Sequence, residues 1–245
     1  MSHILLTGAT GRVGAGILAL ALQSPTISHI TILSRRPVRL AEQSPKATVI
    51  LHEDFSSYPP DLVSKLSGIT GCIWAQGVSS VGISEEEYVK ITHDYPLAAA
   101  KALAGKGEDK VNFVYISGEG VNWTGKGQLY SRIKGRAEQS LIQLSQKETR
   151  NLSVYSVRPG VIGASKSLGG NLAQRKANWT DVSLKIMAPV TELLWKSMAI
   201  STETLAKACL GLVVGDGRPV EGKGVCVEGE GRVLGNVALR RLGGT

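Results

Sequence analysis

Cysteine is scarce in this chain of 245 residues. Cys72, Cys209 and Cys226 lie far apart, each within an apolar run. An odd count, with no pair at metal-ligand spacing, argues against a disulfide framework and a cysteine-based metal centre; it fits a reducing compartment. Long apolar runs are missing too. No stretch approaches the roughly 18 residues of a transmembrane helix, so no membrane span is expected. Ahead of Ile4-Leu5-Leu6 stand only Met1-Ser2-His3, with no basic region and no cleavage signal, so the N-terminus reads as a first strand. Without a secretion signal, the glycosylation triplets at Asn122, Asn151 and Asn178 are taken as chance matches. A cytoplasmic location is expected.

Acidic residues are also in short supply. The chain carries 28 Lys and Arg against 20 Asp and Glu, a formal charge of +8. The excess is concentrated between Val121 and Lys176, where ten basic residues meet two acidic ones. No aromatic-interleaved patch or nucleic-acid motif accompanies it, so no nucleic-acid partner is expected. A polyanionic cofactor with an acidic or phenolate substrate accounts for the excess, and so does a solvated basic surface. The expected partner is a small molecule, with self-association left open.

What the chain does have is a regular alternation of short apolar runs with helical patterns. Strands are expected at His3–Thr7, Ile27–Ser34, Thr48–Leu51, Gly71–Ala75, Val111–Ser117, Ser153–Val157 and Gly224–Glu228. These runs favour Val and Ile and are bounded by Gly, Ser or Pro, as buried parallel strands are. Helices are expected at Val13–Gln23, Asp61–Leu66, Glu85–Ala104, Leu129–Lys147, Asp181–Ala199 and Thr202–Val213. The alternation predicts an α/β fold over residues 1–245: a doubly wound, mostly parallel Rossmann sheet of about seven strands, with helices on both faces. After Arg158-Pro159-Gly160 the pattern loosens. Residues around 163–200 are expected to form a substrate lid, with Trp179, Met187 and Trp195 either lining a pocket or packing as one helix face.

The sharpest local signal is Thr7-Gly8-Ala9-Thr10-Gly11-Arg12-Val13-Gly14, at the junction of the first strand and the first helix. In a dinucleotide-binding turn one glycine makes the tight bend, one lets the backbone approach the pyrophosphate, and one permits close helix–strand packing. The helix N-terminus then offers N–H groups and a favourable dipole to the phosphates. The second strand discriminates between cofactors. Where an NAD-binding chain places an acidic residue for the ribose hydroxyl, this one has Ser34-Arg35-Arg36. Guanidinium groups suit a 2′-phosphate, so NADP is favoured, with Arg35 ahead of Arg36 as the contact. Two further strand ends point the same way. Asp54-Phe55 follows the third strand, where a carboxylate can accept from the adenine amino group. Ala75-Gln76-Gly77 follows the fourth, where a glycine lets the backbone pass close to the ribose.

The fifth strand ends in Tyr115-Ile116-Ser117-Gly118, and Tyr130-Ser131-Arg132-Ile133-Lys134 follows it. On a helix, Tyr130 and Lys134 stand one turn apart on the same face. A free phenol, with pKa about 10, is a poor base at neutral pH. A neighbouring ammonium is expected to favour the phenolate and lower that value, so that the phenol can pass protons. The Ser117 hydroxyl can polarise a carbonyl oxygen.

In this order the motifs resemble the short-chain dehydrogenase/reductase superfamily over nearly the whole chain. More narrowly they are similar to its atypical, epimerase-like members, fungal ones included, with the Thr-Gly-Ala-Thr-Gly-x-x-Gly fingerprint. The resemblance implies NADP binding, Ser117, Tyr130 and Lys134 as the catalytic set, and Pro159-Gly160-Val161 bordering the nicotinamide. It also identifies the run from Asp94 to Leu103 with that group's fourth helix. The catalytic asparagine that many members carry there is absent; Thr92 or His93 could stand in nearby space, with packing or solvent contact the expected role of either. Three functions follow: a ketoreductase acting on a small organic carbonyl, an isomerase or cyclase using the same acid/base pair with bound NADP, or a silent NADP-binding regulator.

Overall fold

In the computed structural model, residues 1–42, 44–104, 110–163 and 198–244 are described. β1 (Ser2–Thr7) runs up the middle of the molecule, and its side chains alternate between two separate cores. Ile4 and Leu6 enter one core with Ile17 and Leu18; Leu5 enters the other with Leu33, Cys72 and Trp74. Period-two alternation with both faces buried is why these strands read as continuous apolar runs.

α1 (Arg12–Gln23) leads to β2 (Ile27–Ser34), the short α2 (Arg39–Glu42), β3 (Ala47–Leu51), α3 (Pro60–Lys65) and β4 (Gly71–Trp74). β5 (Val111–Ile116), β6 (Leu152–Arg158) and β9 (Val233–Gly235) complete one seven-stranded sheet in the order β3-β2-β1-β4-β5-β6-β9. Every pairing in it is parallel. The expected doubly wound sheet is therefore present. Its strand order reverses between β1 and β4, and a crevice opens at the carboxyl ends of strands on either side of such a switch.

The seventh strand lies elsewhere than expected. Residues 224–228 form turns, with one antiparallel bridge from Val225 to Leu234, and Val233–Gly235 pairs with β6 instead. Glycine sets this outcome: Gly222, Gly224, Gly229 and Gly231 all take left-handed φ values between 82° and 98°, which an extended strand cannot accommodate.

The expected helix 85–104 divides into α4 (Glu85–Val89), a π-turn over Lys90–Asp94 and α5 (Tyr95–Ala104). Pro96 supplies the reason. It has no N–H to give the carbonyl of Thr92 four residues earlier, so the regular ladder fails there. The released carbonyl accepts instead from the Tyr115 hydroxyl at 3.0 Å. α6 (Leu129–Gln143) likewise ends in a π-turn over Leu144–Glu148, where the expected helix simply continued.

β7 (Val161–Gly163) and β8 (Ala199–Ser201) form a separate parallel pair. Ala199, expected at the end of a helix, is extended there. α7 (Thr202–Val214) packs beside α1, and α8 (Asn236–Leu242) packs on α7. The rest of the expected lid, with Trp179, Met187 and Trp195, lies outside the described residues. Among the described residues no helix is long and apolar enough to cross a membrane, and no group of acidic, His and Cys side chains is arranged to hold a metal.

Candidate active site

The first half of the site is built on glycine. Gly8 takes φ +68°, and a β-carbon there would collide with the backbone carbonyl of Ala75 at the end of β4. A β-carbon on Gly14 would collide with the carbonyl of Gly8. The turn is closed by a hydrogen bond from the Gly11 N–H to the Gly8 carbonyl, 2.9 Å. α1 then starts with no side-chain cap and no acidic residue in its first turn. Its leading N–H groups and dipole thus face the β1/β4 crevice without a competing carboxylate. These features fit a dinucleotide pyrophosphate.

Around this cradle the structure brings most of the expected contacts together. Arg35 and Arg36 are exposed just beyond β2, and Arg36 donates to the Thr10 hydroxyl at 3.4 Å. Arg12 reaches across to the carbonyl of Ile162 in β7, also 3.4 Å. Val13 is half-buried in the first turn of α1. Ala75 and Gln76 flank the glycine turn. Gly77 faces open space, so the protein itself places no steric demand for glycine there. Asp54 is exposed and its carboxylate accepts from the N–H and hydroxyl of Ser56, at 3.1 and 2.6 Å, which also hold its pKa low. Phe55 is core: it packs edge-on against Trp74 and His52.

The second half lies where β5 meets α6. Lys134 donates to the carbonyls of Ile116 and Ser117 at 3.1 and 2.9 Å. Tyr130, one turn earlier, donates to the carbonyl of Glu119 at 3.2 Å, and the Lys134 ammonium stands over its ring, 5.6 Å from the centre. Ser117 is buried, and its hydroxyl has no hydrogen-bond partner. Such a group is costly unless something else completes it.

The electrostatics differ from the sequence expectation. The Tyr130 pKa is not lowered; it is pushed up to about 12, first by burial and then by Tyr88, Glu138 and Glu119, with Arg158 opposing. Burial also draws Lys134 down to about 8, against which Glu138 pulls upward. Partial removal from water outweighs the mutual help of the pair. Tyr130 is thereby held as a neutral phenol, a weaker acid than a free one but still acidic enough to protonate an alkoxide.

Sequence reasoning missed the group beneath this pair. Glu138, one turn past Lys134, is fully buried and accepts from Trp123 Nε1 (2.7 Å), Ser156 Oγ (2.9 Å) and Arg158 Nη2 (2.6 Å). Its helical spacing from Tyr130 and Lys134 was readable; its partners, which come from β6 and a loop, were not. Pro159 and Gly160 follow directly. The Pro159 carbonyl accepts from the Glu119 N–H, the Gly160 N–H donates to Asn236, and the Val161 N–H donates to Met198. The ends of β5 and β6 are therefore stitched side by side.

No family model matches the chain. It is 36% identical to the leucinostatins biosynthesis cluster protein T of Purpureocillium lilacinum, over 97% of this chain and 94% of that protein. It is 32% identical to the FMP52 protein of Candida albicans, over 74% of this chain and 77% of that one. In shape it is similar to a short-chain dehydrogenase/reductase of Saccharomyces cerevisiae (TM-score 0.67, 12% identity, 99% of both chains). It is also similar to the PhqB reductase domain of Penicillium fellutanum (TM-score 0.64, 18% identity, 86% of this chain and 64% of that one). The expected cytoplasmic location is overturned by these relatives, since the FMP52 proteins of Candida albicans, Emericella nidulans and Aspergillus fumigatus are named mitochondrial. With these relatives matched over most of their length, the chain belongs to the fungal FMP52-like family, and it has the fold of the short-chain dehydrogenase/reductase structures.

Proposed function

We propose that this protein is an NADP-dependent reductase of small organic carbonyl compounds. The observation that carries the reading is the buried Ser117 hydroxyl, left without a protein partner beside a neutral Tyr130 phenol and the Lys134 ammonium. Ser117 donates to the carbonyl oxygen and holds it. Tyr130 supplies the proton that this oxygen takes up as its carbon is reduced. Lys134 anchors the end of β5 through two carbonyls and places positive charge over the Tyr130 ring, where electron density builds as the proton leaves.

Gly8, Thr10, Gly11, Arg12, Val13 and Gly14 would hold the pyrophosphate of NADP, Arg35 and Arg36 its 2′-phosphate, and Ala75, Gln76 and Gly77 its ribose. Asp54 would flank the adenine with the backbone at Phe55, whose ring is committed to the core, and Lys134, Pro159, Gly160 and Val161 would flank the nicotinamide end. When bound, the cofactor supplies the hydride. A phenol held protonated favours reduction over isomerisation or cyclisation, which would call on Tyr130 as a base. The presence of Ser117, Tyr130 and Lys134 together disfavours a silent regulator. By analogy with the FMP52 proteins, a mitochondrial setting is part of this proposal.

Titration with NADPH and NADH, on wild type and Arg35→Ala, tests the cofactor. Binding of NADPH at least tenfold tighter than NADH, with that preference lost in Arg35→Ala, is expected. Tyr130→Phe should bind NADPH as the wild type does and reduce para-nitrobenzaldehyde at least about a hundredfold more slowly, in line with the loss of a positioned proton donor. Unchanged turnover in Tyr130→Phe would remove the mechanism; binding of neither dinucleotide would remove the oxidoreductase reading altogether.

A further inference from the structure

The loop after β5 is laced to α6 residue by residue. Lys134 holds the carbonyls of residues 116 and 117, Tyr130 that of Glu119, and Ser131 that of Gly120 at 2.9 Å. Asn122 closes the series by donating to the Ser131 hydroxyl at 2.8 Å. Gly118 and Val121 make none of the contacts just named, and of the two Gly118 brings no side chain either.

Its backbone does not explain the glycine. Gly118 has an ordinary φ, outside the left-handed region that Gly120 and Gly125 occupy. Any residue can adopt that conformation. What stands in the way is one side chain. A β-carbon at 118 would fall on the Tyr130 hydroxyl and lie 3.1 Å from its Cζ and 3.7 Å from its Cε2, the three nearest atoms all belonging to that ring. A methyl group at 118 and the Tyr130 phenol thus compete for the same space.

We propose that Gly118 is a positioning residue for the reaction proposed above: the missing side chain is the seat of the Tyr130 hydroxyl. Seated there, the phenol hydroxyl donates to the carbonyl of Glu119, the residue after Gly118, while the unpartnered hydroxyl of Ser117 belongs to the residue before it. A β-carbon would push the phenol hydroxyl out of that seat. Displacement of about 1 Å at a reacting centre is enough to cost on the order of a hundredfold in rate. The inference rests on the reductase reading for its catalytic half and on geometry alone for its placement half.

A double-mutant cycle separates the two halves. Thermal unfolding is measured for wild type, Gly118→Ala, Tyr130→Phe and the double variant, with NADPH binding and para-nitrobenzaldehyde reduction alongside. Forcing a methyl group into filled space should lower the Tm of Gly118→Ala by roughly 3–10 °C. In the Tyr130→Phe background, where the colliding oxygen is gone, the same change should cost less than half as much. Gly118→Ala should keep NADPH affinity and lose at least tenfold in kcat. An equal Tm cost in both backgrounds, or failure of both Gly118→Ala proteins to fold, overturns the placement. Full turnover in Gly118→Ala, with coupling intact, overturns the positioning role. Full turnover in Tyr130→Phe is a different result, which removes the proton-donor reading and with it the catalytic half of this proposal.

Discussion

The Lys134 ammonium is tied to two backbone carbonyls at the end of β5, and burial lowers its pKa from 10.5 to about 8. A lysine whose native pKa lies below its unfolded value binds fewer protons folded than unfolded between the two. Stability therefore rises with pH across that window, from about 8 to about 10.5, and is lost again as the pH falls. The penalty is full at neutral pH, where the buried ammonium keeps its proton. Urea unfolding at pH 7 and pH 10 should show wild type gaining stability relative to Lys134→Met at the higher pH. A constant difference between the two proteins would show that Lys134 keeps an ordinary pKa. The same residue illustrates what sequence could supply. The four-residue spacing placed Lys134 beside Tyr130, but the direction of the Tyr130 shift depended on how much water the fold removes.

At the scale of elements, α1 is notable for what its own ends lack. It has no side-chain cap at its start and no basic residue in its last turn. The open start faces the crevice between β1 and β4, where a capping side chain would compete with the proposed cofactor. The far end is completed from outside. Lys46, between α2 and β3, donates to the carbonyls of Ala21, Leu22 and Ser24 at 2.9, 3.2 and 2.5 Å. A cation at a helix C-terminus satisfies orphan carbonyls and complements the dipole. Lys46→Met should cost about 1–2 kcal/mol in chemical denaturation while leaving NADPH affinity unchanged. A loss of affinity would show instead that this end of α1 communicates with the cradle. The divided fourth helix carries a related lesson. Pro96 marks the break in the sequence, but that the freed Thr92 carbonyl would be taken by Tyr115 follows only from β5 lying against it.

Across the whole molecule, the Glu138–Arg158 pair joins parts that are distant in the chain. Glu138 belongs to α6, Arg158 and Ser156 to β6, Trp123 to the loop before α6, and Glu228 approaches Arg158 at 3.9 Å from the segment before β9. Both charges of the central pair are buried, with side chains 7% and 0% exposed, so removing one strands the other in the interior. Arg158→Met is expected to lose about 3–5 kcal/mol of stability. The double variant Glu138→Gln/Arg158→Met should recover a substantial part of that loss, since neither charge is then left alone. Equal destabilisation in both would show that shape and hydrogen bonding, and not charge pairing, hold α6 against the sheet.

The sequence by itself determined the fold class, the glycine cradle and the Tyr130/Lys134 register. All three depend on local periodicity or on backbone conformations that particular residues permit or forbid. It placed six of the seven sheet strands within a residue or two, because their apolar runs are long enough to read, most of them buried on both faces and β3 exposed at the sheet edge. The seventh was misplaced, because a three-residue strand carries almost no periodic signal and only pairing with β6 makes it one. Tertiary structure alone decided the protonation of Tyr130, the partners of Glu138 and the reason for Gly118. Each is set by groups brought together from separate elements, and neither solvent exclusion nor steric competition is written in any short stretch of chain.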